Sequence, residues 1–333
     1  MKKSEILITG ATGFIGSFIV EEAIRRGMEV WAAVRSTSSR KYLQNPEINF
    51  IELDLDNTEK LRRQLAPHTF KYIVHAAGVT KCLDNDDFFK TNTVGTRHLV
   101  DVVRELKMPI ERFVFISSLS ILGPLHEEQP YQEISDTDTP CPNTAYGRSK
   151  LQAEEYLRSL ADFPYVILRP TGVYGPREKD YFMMAESIKK HVDFAVGYRR
   201  QDITFIYVQD VVQAVFLSLS KDVCGRTFLL SDGEVYSSRT FSKLLQKELG
   251  IKRVLRITAP LWLLYAVSVA AESLAHVTGK ISALNRDKYN IMKQRNWRCD
   301  ITPARRDLGF TPEYKLKRGV EITVKWYKEN GWL

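Results

Sequence analysis

"ILITGATGFIGSFIV", residues Ile6–Val20, sets Gly10, Gly13 and Gly16 between a short apolar run and an amphipathic one. The apolar run reads as a buried strand and the residues from Ile15 onward as a helix. At such a turn the first glycine takes backbone angles that other residues resist. The second lets the backbone approach an anion, and the third lets the helix sit close to the strand. The helix start then aims unpaired N–H groups at the anion. The spacing is G-x-x-G-x-x-G, so its weight comes from context: a strand before, a helix after and a second strand at the right distance.

Working outward, short apolar runs at Ile6–Thr9, Val30–Val34, Phe50–Leu53, Tyr72–His75, Phe113–Ile116 and Val166–Leu168 read as strands. Helical patterns at Ile15–Arg26, Thr58–Leu65, Val94–Leu106 and Tyr146–Leu160 lie between several of them. This alternation predicts an α/β fold, a doubly wound parallel sheet of the Rossmann type whose ligand lies beyond the carboxyl ends of the strands. After about residue 170 the rhythm turns irregular, and a smaller mixed lobe is expected. "TFIYVQDVVQAVFLSLS" followed by "RTFLLSD" suggests a return to the first sheet. The expected division is 1–172 with about 203–232 for the dinucleotide domain, and about 173–202 with 233–333 for a substrate lobe.

Composition excludes several other classes. The 333 residues are 44% hydrophobic and 26% charged, without low-complexity tracts, so disorder is not expected. Cys82, Cys141, Cys224 and Cys299 lie far apart with no C-x-x-C pair, and the six histidines form no close pair, so no metal site is expected. "MKKSEILITG" reaches a glycine too soon for a signal peptide, and a cytoplasmic setting is the expectation. The net charge of +8 is spread over short basic pairs such as Arg25-Arg26 and Arg305-Arg306, which read as solvated surface. No nucleic-acid partner is expected.

The second strand sets the cofactor choice. An acid at its end binds the ribose 2′-OH of NAD. In "EVWAAVRSTSSRK" Val34 stands near that place and Arg35 follows. Without a carboxylate to repel a 2′-phosphate, and with Arg35, Ser36, Arg40 and Lys41 to bind one, NADP is expected over NAD.

Tyr146 and Lys150, in "NTAYGRSKLQAEEYL", stand four apart and share one helix face. With 15 Tyr and 23 Lys this spacing arises about once by chance, and it occurs again at Tyr289 and Lys293. Context separates the copies. Tyr146 opens a helix after the fifth strand, which ends in "FVFISSLSILG" and delivers Ser117 and Ser118 to the crevice. Tyr289 has no such company and reads as a packing residue.

At this point the chain resembles the extended short-chain dehydrogenase/reductases, within the NAD-dependent epimerase/dehydratase superfamily. The matching stretches are "GATGFIG", "LDLDN" (Leu53–Asn57), "HAAG" (His75–Gly78), "NTVGT" (Asn92–Thr96), "SSLSILG", "YGRSK", "LRPTGVYGP" (Leu168–Pro176) and "YVQDVVQA" (Tyr207–Ala214). The resemblance implies Ser118, Tyr146 and Lys150 as catalytic residues. It implies cofactor contacts from Gly10, Thr12, Gly13, Phe14, Ile15 and Gly16, from Asp54 and Leu55 at the adenine, and from Ala76, Ala77, Gly78 and Asn92. Pro170 and Val173 would cradle the nicotinamide, and Lys150 would also hold the ribose. In the chemistry expected, the Lys150 charge, together with the positive nicotinamide of the oxidised cofactor, lowers the Tyr146 pKa so that the phenol exchanges a proton with a substrate oxygen, while Ser118 hydrogen-bonds that oxygen.

No acid follows Ser118, which disfavours dehydration, and Leu122 stands where sugar epimerases carry a tyrosine. The look is closer to dihydroflavonol reductases and 3β-hydroxysteroid dehydrogenases, which implies a hydrophobic or ring-containing carbonyl or alcohol. Arg177, Arg199 and Arg200 keep a nucleotide-sugar epimerase or 4-ketoreductase as the runner-up. A non-catalytic cofactor-binding regulator is the alternative of another class. In "APLWLLYAVSVAAESLAHV", Ala259–Val277, Ser268, Glu272 and His276 draw one polar stripe along an otherwise apolar helix. Glu272 argues against a span. The wide apolar face is expected to pack on the core, on a second subunit of a homodimer or on a greasy substrate, with peripheral membrane contact as the alternative.

Overall fold

The structure, a computed structural model, describes residues 3–282 and 284–333. The first half runs β1 (Glu5–Thr9), α1 (Phe14–Arg25), β2 (Glu29–Val34), β3 (Ile48–Glu52), α2 (Thr58–Leu65), β4 (Tyr72–His75), α3 (Asn85–Phe88), α4 (Gly95–Glu105), β5 (Arg112–Ile116), α5 (Ala145–Arg158) and β6 (Tyr165–Pro170). A π-helical stretch, Phe89–Val94, joins α3 to α4. Beyond β6 come β7 (Gly172–Tyr174), α6 (Asp180–Lys189), β8 (Val192–Val196), β9 (Asp202–Ile203), β10 (Phe205–Tyr207), α7 (Val208–Ser220), β11 (Thr227–Leu230), β12 (Tyr236–Ser237) and α8 (Thr240–Glu248). The chain ends with β13 (Leu255–Ala259), α9 (Leu261–Thr278), α10 (Arg286–Lys293) and α11 (Leu316–Glu329).

Seven strands form one sheet in the order β11-β6-β5-β4-β1-β2-β3, every pair parallel. This is the doubly wound arrangement expected, and each predicted strand lies within about two residues of its observed bounds. Alternate residues supply two cores. Ile6, Ile8, Val74 and Val114 face α1 and α7, while Leu7, Ile73, Phe113 and Phe115 face α2, α4 and α5. The order reverses between β1 and β4, so the ends of these neighbours open the crevice. β11 pairs with β6, and the remaining strands form three two-stranded sheets, β10-β7, β12-β9 and β13-β8.

One polar cluster ties this core together. Glu154 of α5 is fully buried and accepts hydrogen bonds from the Arg169 Nε at 3.0 Å and from its terminal nitrogen at 2.6 Å. Ser117 donates to the same carboxylate, and Arg158 adds a contact at 2.8 Å. Helix α5 and strands β5 and β6 are thereby locked in register.

The apolar face of α9 departs from expectation. Only Leu264, Ser268 and Ala275 are buried, so the side carrying Ser268 and the half-buried Glu272 turns inward, His276 stays exposed, and the wide apolar face turns outward, uncovered among the described residues. The reason is pairing: Glu272 is bound by Arg286 at 2.9 Å and His276 faces Asp84 at 3.7 Å. Packing on the core is therefore not what covers it.

Removing one partner of a buried pair leaves an uncompensated charge. Glu154→Ala should cost about 3–5 kcal/mol in urea unfolding. Glu329→Ala, which removes only an exposed pair with Lys325, should cost under about 0.5 kcal/mol. Equal losses from the two variants would remove the cluster from its structural role.

Candidate active site

The crevice begins at the glycine turn. Gly10 has φ +66, and a Cβ there would stand 2.6 Å from the Ala76 carbonyl carbon. A Cβ on Gly16 would lie 2.1 Å from the Gly10 oxygen. Only glycine lets α1, β1 and the end of β4 converge so closely. Gly13 is exposed and precedes the first turn of α1, with Thr12, Phe14 and Ile15 half-buried beside it. The turn thus presents N–H groups to the crevice.

Across the switch point Ala76 and Ala77 are half-buried and Gly78 exposed. His75 fixes this edge: Thr9 Oγ1 lies 2.7 Å from its Nδ1 and Thr96 Oγ1 2.9 Å from its Nε2. Thr96 donates to the Asn92 carbonyl, so it accepts from Nε2–H, and Nδ1 accepts from Thr9. Burial pushes the His75 pKa down to about 3, with the Lys150 charge adding to the shift, so the ring stays neutral.

Asn92, expected at the cofactor, is instead enclosed. Its amide donates to the Val79 carbonyl and to Ser149, both at 3.0 Å, and its Oδ1 accepts from the Val79 N–H at 2.8 Å. It shapes the loop that carries Gly78. A Cβ on Gly78 would stand 3.0 Å from Asn92 Oδ1 and 3.2 Å from Lys150 Nζ, so a side chain there would fill the space beside the ammonium. The bare turn and this space fit a dinucleotide.

The remaining expected contacts spread around the same edge. Asp54 and Leu55 follow β3 half-buried, and Asp54 lies 3.5 Å from Lys60. Val34 is buried where β2 ends, while Arg35 and Ser36 are exposed beyond it. Arg40 lies 4.2 Å from the Phe50 ring centre. Pro170 is buried at the end of β6 and Val173 pairs with Ile206 in β7.

The structure brings the reactive residues together. Ser117 is spent on Glu154, whereas Ser118 is half-buried, accepts from the Ser120 hydroxyl at 2.9 Å and its N–H at 3.2 Å, and acts on the Tyr146 phenol beside it. The Lys150 ammonium donates to the Ile116 carbonyl at 2.8 Å and lies 4.7 Å from the Phe115 ring centre. Burial pulls its pKa down to about 8, against the opposing pull of Glu154. The Tyr146 phenol is pushed up to about 12 by burial, with Ser118 working the other way. Burial rather than the Lys150 charge sets the direction, whereas a lowering by Lys150 together with the oxidised nicotinamide was expected.

Two other expectations change. Arg177 does not face the crevice; it bonds Ser17 at 2.9 Å and Glu21 at 2.6 Å on α1, over the rings of Phe18 and Tyr42. Leu122 is fully buried in the core, so it offers the substrate no side chain. Arg199 and Arg200 instead line a surface recess with Glu127 and Arg295. The second Tyr/Lys pair is packing, as read: Tyr289 contacts Tyr265 at 5.2 Å, and Lys293 lies 5.0 Å from the Tyr289 ring centre.

Reasoning from sequence missed Asp287. Its carboxylate, from α10, accepts from the N–H groups of Ala145 at 2.7 Å and Tyr146 at 3.2 Å, where α5 begins. Thr144 caps the same end by accepting from Gly147 at 2.9 Å. A partner about 140 positions away leaves no local signal.

Residues 6–231 match the NAD dependent epimerase/dehydratase family. Sterol demethylase protein B of Methylococcus capsulatus is 25% identical, with 98% of each chain covered. A putative UDP-glucose 4-epimerase of Methanocaldococcus jannaschii is also 25% identical, covering 98% of this chain and 99% of its own. In fold, the chain is similar to the Bordetella bronchiseptica enzyme WbmG solved with NAD, at TM-score 0.79 and 21% identity, with 99% and 96% of the two chains covered. With more than half of its length matched by that family, the chain belongs to the NAD dependent epimerase/dehydratase family and is an enzyme of the extended short-chain dehydrogenase/reductase type.

Proposed function

We propose that the chain moves hydride between NADP(H) and the carbonyl or secondary alcohol of a hydrophobic or ring-containing substrate, with Ser118, Tyr146 and Lys150 as its catalytic residues. The observation that carries this reading is the gathering of Ser118 and the Tyr146 phenol at the crevice edge, with Lys150 one turn along the same helix as Tyr146. When bound, the dinucleotide supplies or accepts the hydride. The glycine turn would hold its pyrophosphate, the Ala76–Gly78 edge its ribose, and Pro170 with Val173 its nicotinamide. Arg35 and Ser36, exposed beyond a strand end that carries valine rather than an acid, support a 2′-phosphate.

With its pKa near 12, Tyr146 is protonated at neutral pH. That is the form that donates a proton to a carbonyl oxygen, so the reading favours reduction. Ser118 would hold the same oxygen, and the Lys150 charge would stabilise the phenolate left behind. Residues 173–202 and 233–333 are proposed as the substrate lobe, and the cytoplasm as the setting. The apolar outward face of α9 and the relative named for sterol demethylation support a hydrophobic substrate. A nucleotide-sugar epimerase or 4-ketoreductase is the second reading, supported by the archaeal relative named as an epimerase. A regulator without catalysis is disfavoured, because the tyrosine and the lysine are both in place.

Turnover should appear with NADPH on steroid or aromatic ketones and be absent with nucleotide sugars; the reverse pattern would select the epimerase reading. Tyr146→Phe should lower turnover about 10²–10⁴-fold while fluorescence titration shows unchanged NADPH binding. The same titration should favour NADPH over NADH, and equal affinities would sink the Arg35 argument. In the reducing direction kcat/KM should fall above about pH 8, as Lys150 loses its proton. A profile still flat at about pH 10 would remove the Lys150 charge from the mechanism.

A further inference from the structure

Thirteen of the sixteen exposed large hydrophobic side chains among the described residues fall at positions 194–198 and 255–281, so the exposure is concentrated rather than scattered. On α9 they include Trp262, Leu274 and Val277, with Trp262 71% exposed. The helix is inverted relative to an ordinary surface helix, because Ser268 and Glu272 face the protein.

The small β8–β13 sheet repeats the inversion. Its register sets Val192 beside Leu255 and Phe194 beside Ile257, and strand alternation puts all four on one face. Phe194 is 61% exposed there. Asp193, on the opposite face, is buried and held by Arg239 at 2.8 Å. The two pieces join: β13 leads through Pro260 into α9, and Gly197 donates to the Ala259 carbonyl at 2.9 Å. Sheet face and helix face therefore adjoin along one surface.

Within the segments that form this surface the unpaired charges have one sign, with Asp84 standing 3.7 Å from His276 of α9 as the acidic neighbour. Lys189, Lys190, Lys252 and Arg253 are exposed at the start of β8 and β13, Arg199 just beyond the end of β8, and Lys280 beyond α9. Between 189 and 200 and between 250 and 282 the only carboxylates are Asp193 and Glu272, each bound to an arginine. A two-fold pairing of this face with a second copy would set cations against cations. An anionic lipid surface neutralises them and takes up the apolar side chains, with Trp262, Tyr265 and Tyr198 suited to headgroup depth.

We propose that this face docks the protein peripherally on an anionic phospholipid bilayer. The helix lies along the bilayer rather than across it. α10 runs back against α9, through the Tyr265–Tyr289 contact and the Glu272–Arg286 pair, so both ends of α9 belong to one globule. Docking does not depend on the reaction proposed above, and its test reads binding alone.

The test is flotation of the full chain with vesicles of phosphatidylcholine containing roughly one-third phosphatidylglycerol, against phosphatidylcholine alone. The protein should float with the anionic vesicles, be released by high salt and bind the neutral ones weakly. Trp262→Glu and Leu274→Glu, both at exposed positions, should each lower the partition coefficient about tenfold. Lys252→Glu with Arg253→Glu should abolish the preference for anionic vesicles. Absence of flotation, or wild-type partitioning by Trp262→Glu and Leu274→Glu, would overturn the proposal. So would a dimer seen by light scattering without lipid that Trp262→Glu disperses, since a second copy would then be the occupant.

Discussion

The Glu154 carboxylate, shut away from water between α5 and the sheet, is the constraint from which the site's geometry follows. A buried anion is tolerated only when its lone pairs are occupied, and here Arg169, Arg158 and Ser117 occupy them. Glu154 is one turn beyond Lys150 and two beyond Tyr146, so fixing it against β6 fixes where both side chains emerge. By engaging Ser117 it leaves Ser118 as the hydroxyl at the crevice. Asp287 and Thr144 hold the other end of the same helix, so Tyr146 is anchored from both sides.

Burial then sets the chemistry of these groups. It makes the Tyr146 phenol a weaker acid and the Lys150 ammonium a stronger one, and it keeps His75 neutral. At neutral pH the phenol is therefore protonated, with the Lys150 ammonium one helical turn along from it. The same economy of polar groups explains α9. Glu272 is satisfied by Arg286 on the protein side, Ser268 by the Leu264 carbonyl of its own helix, and the apolar remainder is left facing outward.

Much of the fold was legible because it depends on local patterns. Strand and helix alternation, the three glycines and the Y-x-x-x-K spacing each act within about fifteen residues. The choice between the two Tyr/Lys copies needed only the order of elements around them. What escaped were pairings across the chain. Asn92 lies in a family-like stretch, but its role follows from Val79 and Ser149, which it meets only after folding. Arg177 looked like an anion ligand until α1 supplied Glu21.

The doubly wound sheet and the glycine turn at its switch point could be read from the amino-acid order, because short-range periodicity and spacing carry those. It took the folded chain to show what occupies Ser117, which way burial moves the tyrosine and lysine, and that the apolar side of α9 points to solvent. Each of these depends on which distant groups desolvate or pair with a side chain, and that information exists only once the chain is folded.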